Sequence, residues 1–446
     1  MQERGTFHGS DVLHFPPNLV FKPCAEGWII VSPETANWIV IKSEKQRCFL
    51  GGLIEGKTIG EVYQSAEREC SLAELKKLLA AIKARNFANN LECPQANVIQ
   101  NFNTLNIYIT NACNLRCQHC FVNAGIPLRN ELSLDEWEKV LETFRAAGGK
   151  AVTITGGEPA IRHDLPIIVK KAANIGLNVT ILTNGILWNE LLIKSIAPFV
   201  SEVQISLDGV DEEMNAKVRG EGYFKKIEEA IIAFANAGVH TSVSTTFTLE
   251  TISADTAQRY QSLISSINNQ CHNPVFFKLS TKILPGRKIR YSAEQNEQFL
   301  REINKIQQIA NTINTYDFFM ENHSPNTIIK NCGYGGLSIK ANGDVFFCNR
   351  ILELESYGNV RDFSLKHFIQ LGKEAYEKTD VNHLHPCKSC YLKYICGGGC
   401  RIDDCNFKGK LTNIKEELKN VQCSQEKKQR LLQKMIESFL YKYSFE

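Results

Sequence analysis

Three cysteines that lie close together in the chain have a spacing suited to iron–sulfur chemistry. Cys113, Cys117 and Cys120 form the pattern C-x3-C-x2-C within the segment Cys-Asn-Leu-Arg-Cys-Gln-His-Cys. Three thiolates can bind three irons of a [4Fe–4S] cube, which leaves the fourth iron without a protein ligand. A metal with an open position can bind another molecule and do chemistry on it. A zinc ribbon is the alternative, but it needs four ligands in two paired motifs, and no fourth thiol is near.

Eight further cysteines lie in the last third of the chain, where apolar periodicity is weak until a final helix near residues 425–441. They are Cys332, Cys348, Cys387, Cys390, Cys396, Cys400, Cys405 and Cys423. Without Cys405, seven thiols remain, and two zinc knuckles cannot use seven in this order without leaving ligands unpaired. A disulfide scaffold would be short and led by a secretion signal, and this chain of 446 residues is neither. Bound metal would therefore replace part of the missing core.

The elements that must position the first three thiols form a repeating pattern over residues 99–315. Six apolar strands alternate with helices, which predicts an α/β fold with a parallel sheet, namely a partial (β/α)6 barrel of the TIM type. The strands are expected at Leu105–Thr110, Ala151–Thr155, Asn178–Leu182, Val203–Leu207, Thr241–Phe247 and Val275–Ser280. Ligands of such a fold bind at the carboxyl ends of the strands. A dinucleotide-binding Rossmann fold is the alternative, but no G-x-G-x-x-G follows the first strand.

Residues 1–98 predict a small domain of three strands followed by helices. The strands are expected at Asn18–Pro23, Trp28–Val31 and Trp38–Lys42. Helix-capping boxes are expected from Thr58 to Glu61 and from Ser71 to Glu74, and a third begins a barrel helix at Ser133. The order of elements is winged-helix-like, which raises the alternative of a DNA-binding domain. Residues 1–95 hold 11 Lys+Arg and 11 Asp+Glu, and this balance argues against a phosphate-binding face.

Composition excludes several other classes of protein. The net charge is only +3, from 51 Lys+Arg and 48 Asp+Glu, so we expect no nucleic-acid partner. No apolar run approaches the ~18 residues that cross a bilayer, so we expect no membrane partner. The first residues, MQERGTFHGSD, lack an apolar signal segment, and a cytoplasmic location is expected. Cysteines without metal spacing are expected to be buried as small apolar residues. These are Cys24, Cys48, Cys70, Cys93 and Cys271.

The three-cysteine loop after the first barrel strand resembles the radical S-adenosylmethionine (radical SAM) superfamily. Further matches follow the next strands, as Gly-Gly-Glu-Pro, Thr-Asn-Gly, and Ser-Leu-Asp-Gly with an arginine 13 residues beyond the serine. The resemblance implies a [4Fe–4S] cluster on the catalytic Cys113, Cys117 and Cys120, with SAM bound at its open iron. The residues that it assigns to SAM are His119, Gly156, Gly157, Glu158, Asn184, Ser206 and Arg219. His119 stands where relatives usually have an aromatic residue near the adenine, and its flat ring can also stack.

Residues 316–446 resemble the SPASM extension of radical SAM enzymes, which implies two auxiliary [4Fe–4S] clusters and three clusters in all. By this resemblance Cys332, Cys348 and Cys400 hold the first auxiliary cluster. The second is held by Cys387, Cys390, Cys396 and Cys423. Two cubes need eight ligands and the pattern supplies seven, so either Cys405 is the eighth or the first auxiliary cluster has an open iron. An open iron could bind a substrate thiolate, which favours a thioether product.

The N-terminal domain resembles the PqqD-like domains that recognise leader peptides by adding a strand to a sheet edge. Together the resemblances imply a maturase for a ribosomally made peptide. It would cleave SAM reductively to a 5′-deoxyadenosyl radical, abstract hydrogen from the precursor and form a cross-link, with carbon–sulfur favoured over carbon–carbon. The expected partners are a precursor peptide with its leader and an external one-electron reductant of the flavodoxin or ferredoxin type.

Three alternatives stay open. A formylglycine-forming enzyme of the sulfatase-activating type has an Asp base after the cysteine that corresponds to Cys348, but here Asn349 follows. Another radical SAM oxidoreductase could act on a small molecule or a tetrapyrrole, and the N-terminal domain would then be idle. The alternative of another class is a non-catalytic iron–sulfur or zinc adaptor, in which the Gly-Gly-Glu-Pro motif and Arg219 would have no purpose.

Overall fold

The N-terminal region is a three-stranded antiparallel sheet, in the order β1-β2-β3, followed by three helices. In the computed structural model of the chain, the residues described are 7–65, 69–88, 101–284, 286–310, 319–320, 323–324, 327–351, 356–404 and 420–443. The elements of this region are β1 Val20–Cys24, β2 Gly27–Ser32, β3 Asn37–Ile41, α1 Glu44–Ile54, α2 Ile59–Gln64 and α3 Glu69–Arg85. The predicted element order, three strands and then helices, is therefore confirmed.

Six parallel strands in consecutive order form the centre of the molecule, and helices connect them, as the predicted partial barrel requires. The strands are β4 Thr104–Tyr108, β5 Ala151–Thr155, β6 Asn178–Thr183, β7 Glu202–Ser206, β8 His240–Thr245 and β9 Val275–Leu279. The helices are α4 Leu134–Ala146, α5 Leu165–Asn174, α6 Glu190–Ile196, α7 Glu212–Arg219, α8 Phe224–Asn236, α9 Thr256–Asn269 and α10 Ala293–Ala310. Because β4 to β9 run parallel, all their carboxyl ends face the same edge of the sheet.

The C-terminal region extends the barrel sheet with a short hairpin. Its strand β10 pairs parallel with β4, Ser338 lying opposite Asn106, and β11 pairs antiparallel with β10. Among the described residues the sheet therefore has eight strands. The elements of this region are β10 Ser338–Ile339, β11 Val345–Phe346, α11 Leu365–Lys378, α12 Lys393–Cys396 and α13 Gln425–Lys442. Helix α13 was expected from the sequence. Helix α11 was not, although its buried residues Leu365, Phe368, Gly372 and Tyr376 follow helical spacing.

Two apolar cores support these layers. The first lies between the barrel sheet and its helices, and includes the predicted stripe of α4 at Trp137, Val140, Leu141 and Phe144. The second lies under the N-terminal sheet and also contains Met435, Ile436 and Phe439 of α13. In addition, the indole Nε1 of Trp38 donates to the carbonyl oxygen of Met435 at 3.2 Å. The N-terminal region therefore shares its core with the end of the chain.

Two of the three predicted capping boxes are present, at Thr58–Glu61 and Ser133–Glu136. The prediction at Ser71 is wrong, because α3 begins at Glu69 and Ser71 lies inside the helix. The Ser-x-x-Glu pattern alone does not mark a helix start, since the two preceding residues also adopt helical geometry. Glu74 instead accepts a hydrogen bond from the Ser43 hydroxyl at 2.6 Å.

Replacing Ser133 by alanine is expected to destabilise the barrel by about 1 kcal/mol, because the first turn of α4 loses its side-chain cap. In the native chain the Ser133 hydroxyl accepts from the Glu136 amide at 3.3 Å, and the Glu136 carboxylate accepts from the Ser133 amide at 2.8 Å. Urea unfolding measures the change. Lys139→Ala, on the exposed face of the same helix, is the control and should change stability by less than about 0.5 kcal/mol. Equal stability of the two variants would contradict the cap's role.

Candidate metal centre and cofactor site

The loop that carries the first three thiols follows β4 at the carboxyl edge of the barrel. Backbone hydrogen bonds tie this loop to three other segments. The Cys113 amide donates to the carbonyl of Gly125 at 3.0 Å, the Gln118 amide donates to the carbonyl of Val218 at 3.2 Å, and the carbonyl of Cys120 accepts from the Arg287 amide at 3.1 Å. The Arg287 guanidinium also donates to the carbonyls of Cys117 and Ala124. The loop that carries the thiols is thus fixed by hydrogen bonds to other segments of the barrel.

The chemistry of the three thiols fits an iron–sulfur cluster. All three are partly buried. Burial raises the pKa of Cys113 and that of Cys117. Each of these two thiols is also close enough to Cys120 to interact with it electrostatically, so the three thiols lie together. Among the residues that the structure describes, no group of three or more His, Cys, Asp or Glu side chains is placed to hold one metal ion. A cubane cluster binds each thiolate at a separate iron.

The Gly-Gly-Glu-Pro motif after β5 packs directly against the start of the cysteine loop. The amide of Gly157 donates to the carbonyl of Thr110 at 2.7 Å, and the Glu158 amide donates to the carbonyl of Ala112 at 2.8 Å. A Cβ at Gly156, where φ is +152°, would lie 2.4 Å from the oxygen of Thr110, and one at Gly157 would lie 2.2 Å from that of Ala112. The resemblance to radical SAM enzymes implies that these glycines contact the cofactor. The structure shows a nearer reason, close contact with the protein's own backbone.

The carboxylate of Glu158 is fully buried and joins two barrel strands. It accepts from the Thr183 hydroxyl at 2.6 Å, the Asn184 amide at 2.7 Å and the Ala160 amide at 3.2 Å. Burial raises the pKa of Glu158, and these hydrogen bonds act in the opposite direction. The Asn184 side chain also donates to the Asn114 side chain, inside the cysteine loop, at 2.9 Å. Glu158 and Asn184 therefore connect the β5 and β6 ends to the cysteine loop.

Arg219 and His119 meet at a buried carboxylate that the sequence analysis missed. The Asp208 side chain is 1% exposed, and its Oδ2 lies 2.7 Å from Nε of Arg219 and 3.3 Å from Nε2 of His119. The signal was available, because Asp208 stands two residues beyond Ser206, which ends β7. Arg219 also lies 4.0 Å from the Cys117 sulfur. A cation is thus held beside the cysteine loop, as binding of a carboxylate ligand requires.

The ring of His119 fits a site that receives another molecule. Burial lowers the pKa of His119, which favours the neutral imidazole. Its Nδ1 atom is buried and has no hydrogen-bond partner among the described residues. An unsatisfied buried ring nitrogen is costly in a closed protein interior. A bound nucleoside would supply the missing partner, so the residues present fit SAM.

The seven C-terminal thiols that the structure describes fall into two separate cavities. Cys332, Cys348 and Cys400 line one of about 450 Å³, which Asn349 and Arg350 also line. A hydrogen bond with Cys400 lowers the pKa of Cys332, so these two sulfurs are in contact. Four thiols line the other cavity, of about 420 Å³, and they are Cys387, Cys390, Cys396 and Cys423.

These two groups are the sets that the resemblance predicts, and the binding of iron to them stays a prediction. Cys405 lies outside the described residues. Cys93 and the side chain of Cys70 do so as well. The expectation that cysteines without metal spacing are buried is wrong for Cys48, which is exposed, because it lies on the outer face of α1. Cys24 and Cys271 are partly buried.

A partial barrel with three clustered thiols after its first strand, and with Glu158, Asn184 and Arg219 gathered around them, defines the class of radical SAM enzymes. Residues 107–260 match the profile of the Radical SAM superfamily, so the chain contains a Radical SAM domain. Within the described residues, none of the helices combines the length and the apolar character that crossing a bilayer requires.

Several known proteins resemble the chain over different lengths. It is 27% identical over 268 residues to the sporulation killing factor maturation protein SkfB of Bacillus subtilis strain 168, a match that covers 58% of this chain and 62% of SkfB. The chain thus spans about three fifths of the length of that relative. The structure of Streptococcus suis SuiB bound to precursor peptide SuiA matches with a TM-score of 0.52 at 17% identity, covering 92% of this chain and 99% of SuiB. The structure of anSMEcpe with bound AdoMet and the Cp18Cys peptide matches with a TM-score of 0.54 at 18% identity, covering 76% and 98%. At these identities the two structures show a common fold.

Proposed function

We propose that the protein is a radical SAM maturase that forms a cross-link within a ribosomally made peptide. The observation that carries the proposal is the three-thiol loop, held at the barrel's carboxyl edge beside the Asp208–Arg219 ion pair. When bound, a [4Fe–4S] cluster and SAM supply a one-electron reductive cleavage that yields a 5′-deoxyadenosyl radical able to abstract hydrogen. An external one-electron reductant of the flavodoxin or ferredoxin type would deliver the electron.

The chain's own residues would bind and orient the reactants. Cys113, Cys117 and Cys120 would hold three irons through their thiolates. Arg219, fixed by Asp208, would bind the carboxylate of the methionine end of SAM, because its planar guanidinium fits a carboxylate. The unpaired nitrogen of His119 would face the nucleoside. Gly156, Gly157, Glu158, Asn184 and Ser206 complete the set of residues that we assign to SAM.

A peptide substrate is supported by the relatives. SkfB is named a maturation protein for the sporulation killing factor, and SuiB was solved with its precursor peptide SuiA. We propose the same class of substrate here, and thioether formation as the favoured reaction. Asn349 follows Cys348 where a formylglycine-forming relative has an Asp. An amide does not accept a proton as a carboxylate does, so this rival is less well supported.

We propose that the N-terminal sheet receives the leader of the precursor on the edge of β1. Strand β3 is buried at every position, whereas β1 is exposed at Lys22 and Pro23. An added strand gains affinity from main-chain hydrogen bonds. Pro23 has no amide hydrogen, so the leader would use the carbonyl and not a donor at that position.

Mass spectrometry of candidate precursor peptides tests the proposal. After incubation with the anaerobically reconstituted protein, SAM and a reductant, we expect each modified peptide to lose two hydrogens, with one thiol no longer open to alkylation. A carbon–carbon cross-link would give the same mass loss and leave every thiol alkylable.

Other outcomes would replace this function by one of its rivals. Conversion of a Cys or Ser to an aldehyde would identify a formylglycine-forming enzyme. Deuterium uptake at an α-carbon without loss of mass would indicate epimerisation. Failure to form 5′-deoxyadenosine at all would favour the non-catalytic iron–sulfur or zinc adaptor.

A further inference from the structure

Arg401 is a fully buried arginine whose side chain bonds only to main-chain oxygens. Its Nε donates to the carbonyl of Thr379 at 2.8 Å, its Nη1 donates to that of Gly399 at 2.7 Å, and its Nη2 donates to those of Gly397 at 3.0 Å and Lys330 at 3.4 Å. The side chain is 0% exposed. None of the carboxylates in the described part of the chain forms an ion pair with it, so within that part its positive charge has no counter-ion.

Three of the four carbonyls, those of Lys330, Gly397 and Gly399, belong to segments that carry thiols of the two auxiliary sets. Lys330 stands two residues before Cys332, a member of the three-thiol set. Gly397 and Gly399 lie between Cys396, of the four-thiol set, and Cys400, of the three-thiol set. The backbone amide of Arg401 also donates to the Cys332 sulfur at 3.4 Å. One side chain therefore ties together the backbone on which the two sets are built.

The loop between Cys396 and Cys400 is shaped around the guanidinium. Gly397, Gly398 and Gly399 have φ values of +64°, +79° and +72°, a left-handed run that side-chain-bearing residues rarely adopt. A Cβ at Gly398 would lie only 3.0 Å from Nη1 of Arg401. The three glycines thus let the backbone turn its carbonyls inward onto the cation.

Arg401 stands beside thiols of both sets. It follows Cys400 directly in the chain, and its guanidinium donates to the carbonyl of Gly397, the residue after Cys396. An isolated buried cation is strongly unfavourable unless negative charge compensates it. Thiolates and the clusters that they bind would supply that negative charge on two sides.

We propose that Arg401 is a positioning residue that fixes the two auxiliary cluster sites relative to each other and raises the reduction potentials of both clusters. The inference rests on the proposed function in one respect, namely that both thiol sets bind iron. A nearby positive charge stabilises the reduced form of a cluster, which is the more negative one, and so raises its potential. Since the guanidinium bonds to backbone from both sets, its loss affects both sites together.

Two substitutions in the full-length chain, reconstituted anaerobically, test the proposal. Arg401→Met removes the charge and all four side-chain hydrogen bonds, and Arg401→Lys keeps the charge but loses the planar fork. Iron content, Mössbauer spectra and EPR-monitored redox titration are measured for each. For Arg401→Met we expect loss of most of the auxiliary iron, up to about eight irons per chain, or lower potentials at both auxiliary clusters where iron remains.

Arg350→Met is the matched comparison. Besides its ion pair with Asp403, Arg350 donates to the Cys400 sulfur at 3.2 Å, and among the described residues it contacts no thiol of the four-thiol set. This variant should change the iron content or the reduction potential of the three-thiol site only. The EPR signal of the SAM cluster reports whether the barrel is folded in each variant. If Arg401→Met does not fold, the proposal is tested with Arg401→Lys alone. We expect this variant to bind less iron at both auxiliary sites.

Retention of both auxiliary clusters with unchanged potentials, or a change confined to one of them, would overturn the role of Arg401. Failure of the proposed function looks different, because it would appear in the unmodified chain. That chain would then bind fewer than about twelve irons, or would modify no peptide.

Discussion

A chain in which Cys113, Cys117 and Cys120 are all replaced by alanine is expected to form no 5′-deoxyadenosine from SAM and reductant. The three thiols lie together in one loop, and the structure places no other cysteine of its described residues in the same segment. Without them the barrel has no ligands for the cluster that would reduce SAM. Iron analysis should show a loss of about four irons per chain, while the iron of the auxiliary sites remains. Product formation is measured by chromatography with mass detection.

Cys271→Ala is the control for this variant, because Cys271 is partly buried in the barrel core and has no metal spacing. It should keep its full iron content and form 5′-deoxyadenosine like the unmodified chain. If the triple variant retains the SAM-dependent product, the assignment of the cysteine loop is wrong. If iron falls equally in the control, the loss reflects general damage to the fold and not removal of ligands.

Asp208→Ala is expected to destabilise the protein by about 3–5 kcal/mol. The Asp208 carboxylate is buried, pairs with Arg219 and contacts His119, and also accepts from the Thr246 amide at 2.7 Å. Its removal leaves the Arg219 cation buried without a counter-ion at that position, and a buried unpaired charge is among the costliest changes in a protein interior. Chemical denaturation measures the change, and calorimetric titration with SAM should show weaker binding, because Arg219 loses its orientation.

Asp255→Ala is the matched control, because this aspartate forms an exposed ion pair with Arg259, at 3.8 Å. Exposed pairs contribute little, so the control should lose no more than about 1 kcal/mol. Asp208→Asn keeps the shape of the side chain and removes only its charge. If Asp208→Ala lowers the free energy of unfolding no more than the control does, the buried charge of Arg219 does not need Asp208 as its counter-ion.

The barrel strands were predicted almost residue by residue. The expected strand Ala151–Thr155 has the observed bounds, and Val203–Leu207 differs from β7 by one residue at each end. Strands of a parallel sheet are buried on both faces, so they appear in the sequence as short continuous apolar runs between polar connections. The boxes at Thr58 and Ser133 were predictable for a similar reason, since a capping box involves residues only three apart.

The failures have other causes. Ser71 has the right pattern for a cap but lies inside α3, because the two residues before it are also helical. The buried residues of α11 are spaced three and four apart, so this helix could have been predicted from the sequence. For Cys48, the sequence does not show which face of α1 meets the second core.

The sequence by itself determined the spacing of the thiols, the order of the strands, and hence the class of chemistry at the carboxyl edge of the barrel. These are local properties, set by residues within a few positions of one another. Only the tertiary structure decided which thiols share a cavity, that Asp208 joins Arg219 to His119, and that Arg401 lies between the two auxiliary sets. Such contacts join residues that lie far apart in the chain, and only the packing of the folded chain brings them together.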